Sequence, residues 1–182
     1  MANFFKSRFK CKKEEESDSN GTDKNSKKNF DIREYDGIRA QRMGRVDYAI
    51  KCYENALEIE EDFEVMSYLS QIYARTDEPE KAIALLQKMI AMEPEQVNTY
   101  LVLANVYFLQ ENYSDMICIL GNALSIDEND ASAHYLSAKA QKTIKEYKTA
   151  LEHLTKAIAA KQDFTEALLM RVEVYLELEQ YP

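Results

Sequence analysis

From Phe30 onward, apolar residues recur at helical spacing, and the recurrence itself repeats. In RVDYAIKCYENALEIEED, PEKAIALLQKMIAMEPE, YSDMICILGNALSIDEN and YKTALEHLTKAIAAKQD, an opening residue (Ala49, Ala82, Met116, Ala150) is followed four positions later by Tyr53, Leu86, Leu120 or Leu154. Three further on stands Ala56, Met89, Ala123 or Ala157. The i, i+4, i+7 spacing puts all three on one face of a helix. The opening residues lie 33, 34 and 34 positions apart, a period that signals a stack of repeated supersecondary units.

A second amphipathic stretch precedes each of these. VNTYLVLANVYFLQ aligns Tyr100, Leu103, Ala104 and Tyr107 on one face. The preceding repeat offers Met66, Leu69, Ser70 and Tyr73, and the following one His134, Ser137, Ala138 and Gln141. The first repeat has a weaker set, Arg33, Asp36, Gly37 and Ala40. A fifth stretch, TEALLMRVEVYLELEQYP, gives Leu168, Val172 and Tyr175 and is apolar on nearly every face. Each period therefore predicts two antiparallel helices joined by a short turn such as Met43-Gly44-Arg45 or Thr76-Asp77-Glu78-Pro79. An alanine at the crossing lets the two helices approach to about 8–10 Å.

These positions resemble the tetratricopeptide repeat family, whose pattern has an aromatic-x2-Leu-Gly-x2-Tyr helix followed by Ala-x3-Phe, then Ala, then an inter-repeat Pro. The resemblance covers residues 30–182 and departs from the pattern in places. Only Pro94 holds the inter-repeat proline, and Met116 replaces an alanine. It implies an all-α, right-handed superhelical solenoid of antiparallel helix pairs, with repeats over about 30–63, 63–96, 97–130 and 131–164 and a partial repeat at 165–182. Because a fifth second helix would begin at the end of the sequence, the chain is expected to be a fragment of a longer protein, or its last helix to dock on another chain.

Composition agrees with this and narrows the chemistry. Four Gly and three Pro are too few for the turns of an all-β fold or for a glycine-rich phosphate loop. The net charge of −9 lacks the basic footprint of a nucleic-acid binder. Charge is unevenly placed: residues 1–29 carry +3 and residues 30–182 carry −12. Residues 14–29 contain no large apolar side chain and are expected to form a flexible linker. Ahead of them, in the arm 1–13, Phe4, Phe5 and Phe9 interleave with Lys6, Arg8, Lys10, Lys12 and Lys13. That arm has three readings: a disordered tail, a membrane-surface contact through 4–13, or a segment docking on a repeat body.

No catalytic constellation stands out, so the chain is not expected to be an enzyme. His134 and His153, one in each helix of the fourth repeat, have no third ligand for a metal, and His134 is expected to fill the aromatic slot. Cys11, Cys52 and Cys118 are scattered and form no CxxC pair; Cys52 and Cys118, within second helices, are expected to be buried. No cofactor is expected. The absence of a Sec signal and of paired cysteines gives a cytoplasmic expectation.

The family's concave face is lined by first helices, and the resemblance carries that role to Tyr35, Ile38 and Arg42, then to Ser67, Tyr68, Gln71 and Arg75. It carries it further to Leu101, Val102, Asn105, Phe108 and Leu109, to Tyr135, Leu136 and Lys139, and to Leu169, Met170 and Glu173. Leu101 and Tyr135 stand where some relatives grip a terminal carboxylate with a lysine, so that clamp is expected to be absent. The expected function is a non-catalytic protein–protein interaction module or scaffold that takes a peptide or helix with an apolar or amphipathic segment. Self-association through the last helix is a further expectation. The alternative is the regulatory or recruiting portion of a longer enzyme whose catalytic domain follows Pro182.

Overall fold

The computed structural model describes residues 24–76 and 78–180, and every regular element among them is an α-helix. Helix α1 covers 24–42. It is followed by α2 (Val46–Leu57), α3 (Phe63–Tyr73), α4 (Pro79–Met92), α5 (Val97–Leu109), α6 (Tyr113–Ile126), α7 (Ala131–Thr143), α8 (Tyr147–Ala160) and α9 (Thr165–Gln180). First and second helices of successive repeats therefore alternate along the chain. The chain divides into two compact units, one ending at Ile72 and the other beginning at Tyr73.

The repeated residues are where the chain is sealed. All twelve second-helix positions, from Ala49, Tyr53 and Ala56 to Ala150, Leu154 and Ala157, are buried. So are the first-helix sets Met66/Leu69/Ser70/Tyr73 and His134/Ser137/Ala138/Gln141. In the second unit, Tyr100, Ala104, Met116, Leu120, Ala123, Ala133, Leu136 and Ala140 form one core cluster. Ala138, Ala150, Leu154, Ala157, Ala167, Met170 and Val174 form the next.

Three of the hairpins turn in the same way. Gly44, Glu111 and Lys145 have φ of 71°, 58° and 66°. The N–H of the following residue reaches back five positions, from Arg45 to Ala40 O (2.9 Å), Asn112 to Tyr107 O (2.9 Å) and Glu146 to Gln141 O (2.8 Å). The left-handed residue satisfies one orphan carbonyl of the ending helix and its successor another. Asn112 then caps α6 through its side-chain oxygen on the Asp115 N–H, so a single residue closes one helix and opens the next. Asp130 caps α7 in the same manner, on the Ala133 N–H.

In the first unit, α1 packs on α2 through a close approach at Gly37. A methyl group there would lie 2.5 Å from Cε1 of Tyr53. The Tyr53 hydroxyl donates to Gln41 Oε1 (2.9 Å), and its ring stacks on Tyr68 of α3 with centroids 5.7 Å apart. Burial, with smaller contributions from Tyr68 and Glu34, pushes the Tyr53 phenol up to about 12.

Four expectations need correction. Residues 24–29, expected within a linker, are helical and exposed: a helix nucleated on the buried Phe30 and Ala40 extends outward at the gain of one bond per residue. In α1 the inward face is Phe30, Gly37 and Ala40, while Arg33 is exposed. In α9 the buried residues are Ala167, Met170 and Val174; Val172 and Tyr175, aligned on one face by the periodicity, are 57% and 53% exposed, with no described helix over them. Cys52 is buried as expected, but Cys118, two residues from the inward Met116, is exposed on the opposite side of α6. The arm 1–13, with the membrane-surface contact expected of residues 4–13, lies outside the described residues, as do Cys11 and residues 14–23 of the expected linker. No helix among the described residues is long and apolar enough to cross a membrane.

Candidate functional site: the first-helix face

Within the second unit, the first helices α5, α7 and α9 are consecutive neighbours, α5 against α7 and α7 against α9. The second helices α6 and α8 pack on one side of them, α6 on α5 and α7 and α8 on α7 and α9, and the remaining side carries most of the residues singled out from the sequence. Leu101, Val102, Phe108, Tyr135 and Lys139 are half-buried, and Asn105 is exposed, its amide donating to Leu101 O of its own helix (2.9 Å). Leu109 and Leu169 stand 69% and 61% exposed. Leu136 and Met170 are buried, one in each core cluster, and lie beneath this face as its floor. In the first unit, Tyr68 and Gln71 line a shallow pocket of about 300 Å³ with Ile38, Gln41 and Arg42. There the Tyr68 hydroxyl donates to Glu64 Oε1 (2.5 Å), which raises its pKa.

The half-buried residues are held in place from behind. Leu101, Phe108 and Tyr135 pack against the Tyr100–Leu136 cluster. Tyr135 also leans on Phe164 of the α8–α9 turn, ring centroids 5.0 Å apart. Burial raises the Tyr135 pKa, aided by Glu166 and Glu173 and opposed by Lys142. Phe108 meets Tyr113 edge-on (5.8 Å) and carries the Lys139 ammonium 3.8 Å above its ring centroid.

Sequence reasoning missed the polar surroundings of Lys139. Lys142, one turn on, donates to Glu173 Oε2 (2.5 Å) and approaches Glu177 Oε1 (3.6 Å) on α9. Burial works against its charge, yet the two carboxylates more than offset this and leave its pKa raised. Lys142, Lys145, Tyr147 and Glu177 join Phe108, Lys139, Thr143 and Met170 around a pocket of about 350 Å³. The run Lys139, Lys142, Lys145 at i, i+3, i+6 was the available signal.

The histidines serve packing. His134 is 3% exposed, with Nε2 2.9 Å from Glu128 O and Nδ1 2.9 Å from His153 Nδ1. A carbonyl can only accept, so His134 carries its proton on Nε2 and accepts at Nδ1 from the His153 Nδ1–H. One repeat earlier, the Tyr100 hydroxyl donates to Pro94 O (2.8 Å) across the same six-residue separation. His134 thus takes the place of an aromatic whose polar tip ties the helix to the inter-repeat turn. Burial first, then His134 and Lys156, lower the His153 pKa. Among the described residues, no group of three or more His, Cys, Asp or Glu is placed to hold a metal ion.

Solved structures share this architecture. A crystal structure of MamA superposes with a TM-score of 0.70 at 23% identity, covering 79% of this chain and 84% of that one. TTC0263, a thermophilic tetratricopeptide protein in Thermus thermophilus, gives 0.63 at 20% identity over 82% of each chain. The fold is that of the tetratricopeptide repeat. YrrB, described as a tetratricopeptide protein with an unusual peptide-binding site, gives 0.65 at 18% identity over 74% of this chain and 70% of that one. Residues 85–157 of the chain also match the family of anaphase-promoting complex, cyclosome, subunit 3. No curated protein sequence matches.

Proposed function

We propose that the chain is a non-catalytic protein-interaction module that receives an apolar or amphipathic peptide or helix on the α5–α7–α9 face. The observation that carries this is the row of half-buried and exposed apolar side chains along consecutive first helices: Leu101, Phe108, Leu109, Tyr135 and Leu169. Apolar groups held at a surface by packing behind them are suited to helix-in-groove recognition. Peptides selected from a random phage library on the intact chain test it. A selected peptide should lose binding to Asn105→Arg and Leu169→Glu, both at exposed positions, and retain it with Thr155→Arg on α8. Selected peptides indifferent to Asn105 and Leu169 would place the binding surface elsewhere.

The exposed strip of α9 favours a second reading, association between two copies of the chain. Leu169, Val172, Tyr175 and Leu176 are each more than half exposed, and covering one such side chain contributes about 1.5–3 kcal/mol. Val172→Lys with Leu176→Lys should convert a concentration-dependent dimer to a monomer in sedimentation. A wild-type chain that stays monomeric at high micromolar concentration would contradict this reading.

A further inference from the structure

The pocket at the end of α7 differs in charge from its equivalents in neighbouring repeats. Lys139, Lys142 and Lys145 correspond, 34 residues earlier, to Asn105, Phe108 and Glu111, and, 34 residues later, to Glu173, Leu176 and Glu179. The repeat's packing therefore does not require lysine at these three positions. Lys142 is engaged by Glu173 and Glu177. Among the described residues, Lys139 and Lys145 form no ion pair. A helix C-terminus favours cations in its last turn, which accounts for Lys142 but not for Lys139, a turn earlier. Lys145 moreover occupies a left-handed position, φ 66°, that glycine would hold with less strain.

Beside the two lysines lie Phe108, Tyr147 and Met170, so cationic and apolar surfaces adjoin in one pocket of about 350 Å³. The Lys139 ammonium sits 3.8 Å over the Phe108 ring, which orients it without neutralising it. Glu177 also lines the pocket and, with Glu173, neutralises Lys142, so the positive charge open to a ligand is that of Lys139 and Lys145; acidic groups beyond a Debye length of about 8 Å are screened at physiological salt.

We infer that this pocket is a subsite for an acidic peptide segment of another protein, one in which an Asp or Glu lies within a turn of a bulky apolar residue. The carboxylate sits between Lys139 and Lys145, and the apolar side chain covers Phe108 and Met170. This inference rests on the reading of the α5–α7–α9 face as protein-binding, and it supplies the chemistry of the partner.

Fluorescence anisotropy tests it with three labelled peptides: Glu-Leu-Glu-Asp-Phe-Glu, its amide counterpart Gln-Leu-Gln-Asn-Phe-Gln, and Glu-Ser-Glu-Asp-Ser-Glu. The first should bind the intact chain about five-fold more tightly than the amide peptide, with the difference shrinking as salt rises. It should also bind more tightly than the serine peptide. Lys139→Gln with Lys145→Gln should bring the first two peptides level, whereas Lys148→Gln on α8 should not. Equal binding of the acidic and amide peptides to the wild-type chain would overturn the acidic subsite while leaving the apolar face standing. Equal binding of the acidic and serine peptides would reduce the pocket to a charge patch and overturn it as well. The wild-type comparison stands even if the double variant folds poorly. Absence of binding by all three peptides would also overturn the subsite, and the phage-selected peptides would then decide the wider reading independently.

Discussion

Gly37→Ala and Gly121→Ala are the same substitution in the interior of a helix, and the structure gives them opposite signs. Alanine is favoured over glycine in a helix by about 0.8–1 kcal/mol. At Gly121, on the exposed side of α6, a methyl group meets nothing within 4 Å, so that gain should appear almost whole. At Gly37 the same methyl would lie 2.5, 2.7 and 3.0 Å from three atoms of the Tyr53 ring, well inside the 3.4 Å at which ordinary contact begins. The ring cannot swing aside freely. It is fully buried, its hydroxyl is bonded to Gln41, and it stacks on Tyr68. Overpacking of this kind costs about 1–3 kcal/mol, and loss of the Tyr53–Gln41 bond about 1 kcal/mol more. Gly37→Ala should therefore destabilise by about 1–3 kcal/mol net, while Gly121→Ala stabilises by somewhat under 1 kcal/mol. Urea titration followed by far-UV circular dichroism measures both. Tyr53→Leu should relieve most of the Gly37→Ala penalty by removing the clashing ring atoms. Stabilisation by both alanines would refute the α1–α2 packing described above.

Other substitutions follow from single contacts. Gln141 is buried with no hydrogen-bond partner for Oε1, at a register where the two preceding repeats carry Tyr73 and Tyr107; Gln141→Leu should raise stability by about 1–3 kcal/mol in urea titration. Glu111→Gly should stabilise by about 0.5–1 kcal/mol, because glycine adopts the left-handed turn without strain, and thermal melting would detect it. Ala150→Asp, at a fully buried crossing, should cost about 3 kcal/mol or more by the same urea assay. The folded pKa of His153 lies below its unfolded value, so the unfolded chain takes up the proton first as pH falls. Stability should decline as pH drops below about 6.5 and level off under the folded pKa, and His153→Gln should flatten that decline in melts across the pH range.

The fold was legible because each period repeats the same steric demand: a small residue where two helices cross, a large one a turn later. Those positions occur in all four second helices, and no single departure, Met116 included, displaces the register. Legibility failed where a residue's environment depends on a neighbouring element rather than on its own helix. The periodicity of α9 aligns Val172 and Tyr175 on one face, yet among the described residues only the side with Ala167, Met170 and Val174 is buried, because α7 and α8 pack there. Leu136 and Met170 fall on the first-helix face by register yet are buried as its floor. The engagement of Lys142 by Glu173 and Glu177 joins residues 31 and 35 positions apart, a pairing that no local pattern announces.

Chemical-shift mapping of a phage-selected peptide on the uniformly labelled chain reads every backbone amide at once and so locates the binding face. The largest perturbations should fall along α5, α7 and α9, at Leu101, Asn105, Phe108, Leu109, Tyr135, Lys139 and Leu169, with α6 and α8 little affected. Perturbations centred instead on the outward surfaces of α6 and α8, around Cys118 or Thr155, would contradict that placement.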